Sequence, residues 1–308
     1  MEARSIVPRR YLDVLVDLSA VAHNTRVVRQ AVSRPATAVM AVVKADAYGH
    51  GAIDVARAAL DAGATWLGVC TTAEALELRR AGLDAPILAW VHTSAESMRL
   101  ATAADVDVSV QSARTLAFAV DAGLDVRRHL AGSLSALTRP DLHLDMIRTG
   151  SALYGLLPYA ERHRFDLRPA MRVTSQVALT KRVEAGQGVS YEHDWTAPSA
   201  LNLALIPVGC ADGIPCALSG RLTVSIRGRR YPVVGRICMD QMIVNCGDEK
   251  VEEGEEVVLI GSESDGDPTI HEWALALSTT PCEVATYFDR PHVNRQTVPA
   301  VGARPLTG

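Results

Sequence analysis

Apolar and polar positions in the first half of the chain alternate in two rhythms. From about residue 38 to 165, short apolar, β-branched runs ("TAVMAVVKA", "WLGVC", "PILAWV", "VDVSV") are separated by stretches rich in Ala, Leu and Arg. The short runs predict strands and the stretches between them predict helices. "AIDVARAALDAG" and "TTAEALELRRAGL" each close with glycine, a common helix stop, and "SARTLAFAVDAGL" repeats that grammar. Strand–helix repeats at this spacing predict parallel βα units, in an open sheet or a (β/α)8 barrel. No G-x-G-x-x-G follows the first strand, which disfavours a dinucleotide-binding fold.

From about residue 170 the pattern changes. "LNLALIPVG", "RLTVSIRGRRYPVVGRI", "MIVNC" and "EEVVLIG" are strand-like runs separated by glycines and charged turns. They predict a mostly-β domain, with one helix over "TIHEWALALS". The boundary falls near "RHRFDLRPA", giving expected domains at 1–168 and 169–308.

Composition narrows the class. A chain of 308 residues, 48% hydrophobic and 21% charged, has ample core for two domains or one large one. Its net charge of -4 gives no push toward nucleic acid or anionic membranes. "MEARSIVPRR" lacks a signal-type apolar core, and no apolar stretch approaches the ~20 residues of a membrane span. The six cysteines show no paired spacing, which argues against a zinc site and a disulfide framework; no metal is expected, and a reducing cytoplasm is. "HEWAL" lacks the second histidine of H-E-x-x-H, and His50 reads as a loop-to-helix residue rather than a ligand.

Candidate chemistry begins at "AVVKADAYGHGA", where an apolar run delivers Lys44 to its end. The C-terminal ends of parallel strands form the active-site face of such folds. A lysine there snorkels to solvent, the commoner fate, or loses its proton and forms a Schiff base with a carbonyl. A phosphate site would favour the second. "RHLAGSLSAL" places Ser133 after a small-residue turn, and "DMIRTGSALYG" places Gly150 and Ser151 directly after a strand-like segment. Amides and hydroxyls in such turns can hold a phosphate. Arg148 ends its strand as a surface charge or as a partner for a pyridine nitrogen.

"AVVKADAYGHGA" resembles the cofactor-binding signature of alanine racemases, pyridoxal 5'-phosphate enzymes of fold-type III. "VLVDLSAVAHNTRVVR", "WLGVCTTAEALELRRAGLDAPILAW", "DMIRTGSALYGLLP", "VEAGQGVSYEHDW", "IPVGCADGIP" and "VVGRICMDQM" resemble further family segments, in family order. The resemblance implies a (β/α)8-type barrel followed by a β domain. It implies that Lys44 carries the cofactor and is one of two acid/base groups at the substrate Cα. Tyr48, Ser133, Gly150 and Ser151 would contact the phosphate, and Arg148 the pyridine nitrogen. Tyr191 would be the second catalytic base, supplied across a homodimer with shared active sites. Without the resemblance it reads as a strand tyrosine. Met239 would give a backbone contact near the substrate carboxylate. The implied activity is interconversion of L- and D-alanine, supplying D-alanine for peptidoglycan. The expected partner is a small amino acid, with no nucleic acid and no membrane.

The sequence also departs from the family. It offers about six barrel strands, not eight. Between "AGLDVR" and "RHLAGS" the family has a D-T-G-M-type motif with an arginine, and later a histidine; both positions are missing here. The deficit is about two βα units, on the scale of ~60–80 residues. Either the barrel opens and exposes parallel edges, or the natural chain is longer at this junction. The alternative function is therefore a racemase-derived protein with impaired or altered activity, acting on another amino acid or as a dimeric binding or regulatory module. Cys210 stands where the family usually has a tyrosine at the substrate entrance, and reads as a small buried cysteine.

Overall fold

A computed structural model describes residues 11–298 apart from 92–93, 111, 114–115, 118–120, 122–125 and 292. The chain divides into two units. One comprises Asp17–Ala170 with the segment from Thr297; the other runs up to Val16 and resumes over Met171–Gln296. The first strand, β1 (Asp13–Asp17), pairs antiparallel with a strand more than 150 residues later, Val14 opposite Val173. A cut at 168/169 separates these two partners, because local pattern carries no sign of so distant a pairing.

In the first unit Asp17 opens the helix Leu18–Gln30, its carboxylate accepting the N–H groups of Ser19 and Ala20 at 2.8 and 3.1 Å. The predicted apolar runs then become strands: β2 (Ala38–Val42), β3 (Trp66–Thr71), β4 (Ile87–Val91) and β5 (Val106–Val108). A further strand, β6 (Met146–Thr149), follows. They form one parallel sheet in the order β5-β4-β3-β2-β6. Met40 lies opposite Trp66 on one side and Arg148 on the other. Helices Ala52–Asp61, Thr72–Arg80 and Ala95–Ala103 make the crossovers. "SARTLAFAVDAGL" falls largely outside the described residues.

The sheet does not close. Beyond β6, the strand-like "LDVRRHLAGS" contributes a single parallel bridge, His129 to Met146. Beyond β5, no further strand pairs among the described residues. The unit is a half-barrel α/β layer rather than a closed eight-stranded barrel. A cavity of about 940 Å³ lies between β5 and residues 126–129, lined by Trp66, Leu88, Asp107, Arg127, His129 and Met146 among others.

The second unit is mostly β, as its alternation predicts. Its sheet contains β1 and β7 (Met171–Gln176), which pairs with the strand Glu256–Ile260. "RLTVSIRGRRYPVVGRI" folds as a hairpin, Thr223–Ile226 against Arg229–Val234. Arg227 and Gly228 both have positive φ there, the two-residue turn that suits the strand twist. Thr269 and Glu272 cap the helix Ile270–Leu277 reciprocally.

Candidate active site

Lys44 follows β2 by two residues, and its side chain is exposed. Its Nζ lies 5.8 Å from the Trp90 ring centroid. The next residues, Ala45, Asp46, Ala47 and Tyr48, all have φ between 47° and 57° with positive ψ, and Gly49 continues at 79°. This is a turn of left-handed helix, which costs non-glycine residues about 1–2 kcal/mol each. The surroundings fix it. Glu74, on the next crossover helix, accepts the Ala45 N–H at 2.7 Å and the N–H groups of Cys70 and Thr71 at 2.7 and 2.8 Å. The Asp46 carboxylate accepts the Ala52 N–H at 2.7 Å, at the start of the following helix. Buried Tyr154 donates to the Val42 carbonyl at 2.8 Å and stacks on buried His50 at 4.5 Å. The result aims Tyr48 back toward the strand ends. His50 is thus a packing residue.

Tyr48 meets the turn after β6. A Cβ on Gly150 would lie 2.4 Å from the Tyr48 hydroxyl, so only glycine leaves this close approach open. The Ser133 hydroxyl, at the start of the helix Ser133–Thr138, accepts the N–H groups of Gly150 and Ala152 at 3.0 and 3.2 Å. Its proton remains to be donated elsewhere. Ser151 begins the 3₁₀ turn Ser151–Tyr154. Lys44, Tyr48, Ser133, Gly150 and Ser151 therefore all stand on the C-terminal side of β2 and β6.

Arg148 lies in β6, half-buried. Its guanidinium donates to the His129 Nδ1 at 2.7 Å and to the His129 carbonyl at 2.8 Å. Burial, then the nearby Arg148 charge, holds His129 below the usual histidine range, so it accepts as a neutral ring. Burial also lowers Arg148, which remains a cation. Sequence reasoning gives Arg148 no partner within the chain. The only signal was that "RHLAGS" carries a histidine four residues before Ser133.

The remaining expected site residues belong to the β unit. Tyr191 begins a 3₁₀ turn, Tyr191–His193, and is 61% exposed, not in a strand. The strained turn explains the difference: Ser190, Glu192 and His193 have positive φ, and Arg236 pairs with Glu192 at 2.9 Å. Met239 is 67% exposed. Cys210 is half-buried rather than buried.

Two family profiles match the chain: "Alanine racemase, N-terminal domain" over residues 16–125 and "Alanine racemase, C-terminal domain" over 170–297. The chain belongs to the alanine racemase family. The alanine racemase of Mycolicibacterium vanbaalenii is 40% identical over 364 residues, covering 91% of this chain and 93% of the relative. That of Mycobacterium avium is 40% identical over 366 residues, 92% and 94% covered. Among solved structures, the alanine racemase of Streptomyces lavendulae superposes with a TM-score of 0.87 at 34% identity, covering 94% and 97%. Streptomyces coelicolor alanine racemase gives 0.87 and 34%, with 94% and 98% covered. The chain is thus a racemase, an isomerase, by family. The M. vanbaalenii comparison also measures the gap. It spans 364 residues but draws on 91% of a 308-residue chain, about 280, so roughly 80 positions of the alignment have no residue here. The N-terminal profile match stops at residue 125, two residues before Arg127.

Proposed function

We propose that this chain interconverts L- and D-alanine with pyridoxal 5'-phosphate, as a homodimer with shared active sites in the cytoplasm, supplying D-alanine for peptidoglycan. The observation that supports it is an exposed amine on the same strand-end face as two hydroxyls gathered around a glycine: Lys44, with Tyr48, Ser133 and Gly150. The donor set fits a phosphate, since hydroxyls suit a dianion and the Ser133 hydroxyl, which accepts the Gly150 and Ala152 amides, keeps its own proton to donate. When bound, the cofactor supplies a carbonyl for amines and a ring that acidifies the substrate Cα–H.

In this reading the Lys44 amine anchors the cofactor and carries the proton at Cα on one face. The Tyr191 hydroxyl, from the second subunit, carries it on the other. Racemisation needs both, and the two residues exchange roles with direction. Arg148 faces the ring nitrogen as a donor only, because a guanidinium does not give up its proton. His129 holds the Arg148 fork in place. Ser151 adds to the phosphate contacts, and the Met239 backbone meets the substrate carboxylate. The working domain limits are 1–168 for cofactor binding and 169–308 for the β domain.

The test is L-alanine turnover in heavy water by cofactor-loaded protein, with deuterium read at Cα in both enantiomers. Lys44→Ala abolishes both the visible cofactor absorbance and the exchange. Tyr191→Phe keeps the absorbance and loses racemisation. Loaded protein that incorporates no deuterium would overturn the reading. The roughly 80 absent positions favour a second reading, an impaired racemase with another amino-acid substrate or a dimeric binding module. Turnover of serine or a basic amino acid above that of alanine, or a cellular role that survives Lys44→Ala, would select it.

A further inference from the structure

Three of the six cysteines converge on one short segment of the β unit. Cys210 donates its N–H to the Cys238 carbonyl at 2.9 Å, and Ala211 to the Met239 carbonyl at 2.8 Å. The Cys216 thiol donates to the neighbouring Ile237 carbonyl at 3.5 Å. Ile237 in turn donates its N–H to Ser219 Oγ at 3.0 Å, and that hydroxyl donates to the Cys216 carbonyl at 2.7 Å. The two 3₁₀ turns Cys210–Asp212 and Cys216–Leu218 are therefore tied to consecutive carbonyls of the same stretch. The chain between them is folded back on itself. Ile214 donates to the Gly209 carbonyl at 3.1 Å, and Gly213 sits at φ 103°, where a Cβ would lie 2.4 Å from the Tyr287 carbonyl. The Cys216 thiol and the Cys210 backbone thus stand on adjacent carbonyls, those of Ile237 and Cys238, and Cys210 is among the groups that raise the Cys216 pKa.

We propose that Cys210 and Cys216 form a reversible dithiol site, closed to an intramolecular disulfide by exchange with a small disulfide of the glutathione class. Exposure sets the order of events. Cys216 is exposed, Cys210 half-buried, and Cys238 buried and engaged by Ser190 Oγ at 3.5 Å. The Cys216 thiolate attacks one sulfur of oxidised glutathione, forming a mixed disulfide and releasing one glutathione thiolate. The Cys210 thiolate then attacks Cys216 Sγ and releases the second glutathione. The two protein thiols lose two protons and two electrons, and one glutathione disulfide becomes two thiols. Partial desolvation of the sulfur and the neighbouring Cys210 raise the pKa of the Cys216 thiol, so the exchange is run mildly alkaline to supply thiolate. Among the described residues no group of three His, Cys, Asp or Glu is placed to hold a metal, which leaves exchange as the chemistry this cluster supports. The site does not depend on the catalytic reading.

The full chain is treated with excess oxidised glutathione, quenched in acid, and its intact mass and peptide map recorded. Wild type is expected to lose two hydrogens, keep no glutathione, map its new bond to Cys210–Cys216, and recover both thiols with dithiothreitol. Cys210→Ser is expected to stop with one glutathione held on Cys216. Cys238→Ser is expected to close like wild type. A wild-type chain that retains glutathione on Cys216, bonds Cys216 to Cys238, or keeps its starting mass would overturn the proposal, and none of these outcomes depends on a variant folding.

Discussion

At Gly150, a proposed phosphate contact, the missing side chain is what lets Tyr48 approach. An added methyl meets the Tyr48 hydroxyl at 2.4 Å, and Tyr48 itself sits in a turn fixed by Glu74 and Tyr154. Relief must come from the Tyr48 ring, and crowding of this kind costs about 1–3 kcal/mol. Gly150→Ala is expected to weaken pyridoxal phosphate retention by about 5- to 100-fold, read by absorbance titration, with little change in melting temperature. Unchanged retention would separate Gly150 from the phosphate. His129 yields a pH prediction. Burial and Arg148 lower its folded pKa, so on acidification the unfolded chain takes up a proton first. Its contribution is intact above the unfolded value near ~6.5 and is lost as pH falls from there through the folded value. His129→Gln keeps an acceptor for Arg148 without a titrating ring. Denaturant midpoints between about pH 7.5 and 5 should fall less for this variant than for wild type. Parallel curves would show that His129 does not couple to folding.

The left-handed turn after β2 is a conflict between local preference and context, and context wins. "KADAY" has no glycine, yet four of its residues take φ near 50°. Ala45 is exposed there, so a glycine removes about 1–2 kcal/mol of strain against about 0.5–1 kcal/mol of added chain entropy. Ala45→Gly is expected to be neutral to stabilising by up to about 1 kcal/mol, and Ala45→Val clearly destabilising, both by chemical denaturation. An Ala45→Gly loss above about 1 kcal/mol would mean the turn is not strained in solution. The same element shows what could be read in advance. The strands β2 to β5, their helices and the position of Lys44 follow from apolar spacing, which is a local signal. The handedness of the turn does not, because Glu74 and Tyr154 impose it from distant positions. The pairing of β1 with β7 and the bond from Arg148 to His129 were hidden for the same reason. Tyr191 reads from local sequence as a strand tyrosine, whereas it opens a 3₁₀ turn in which Arg236, more than forty residues on, pairs with Glu192.

The open sheet poses its problem at the scale of the whole molecule. A closed barrel has no edges, whereas a half-barrel leaves backbone N–H and C=O groups facing outward along β5, a template for strand addition from other chains. Charge stands at that edge. Asp105 precedes β5 and Asp107 is exposed within it. Across the cavity, Arg127 lies over the Trp66 ring at 5.3 Å and Arg128 pairs with Asp145 at 3.1 Å. An edge carboxylate must be desolvated, without a new partner, whenever another strand docks on it. Partial desolvation at the cavity wall first, and then Asp105, raises the Asp107 pKa, so this protection weakens earlier on acidification than an ordinary aspartate would allow. Asp107→Val removes the charge and adds a β-branched residue in one step. It is expected to shift sedimentation profiles at neutral pH from the wild-type species toward larger ones at least about tenfold more readily, a change worth about 1.4 kcal/mol. Wild type should move the same way as the pH is lowered, and Asp107→Asn should fall between the two. If Asp107→Val sediments as wild type does, the charge is not what guards the edge.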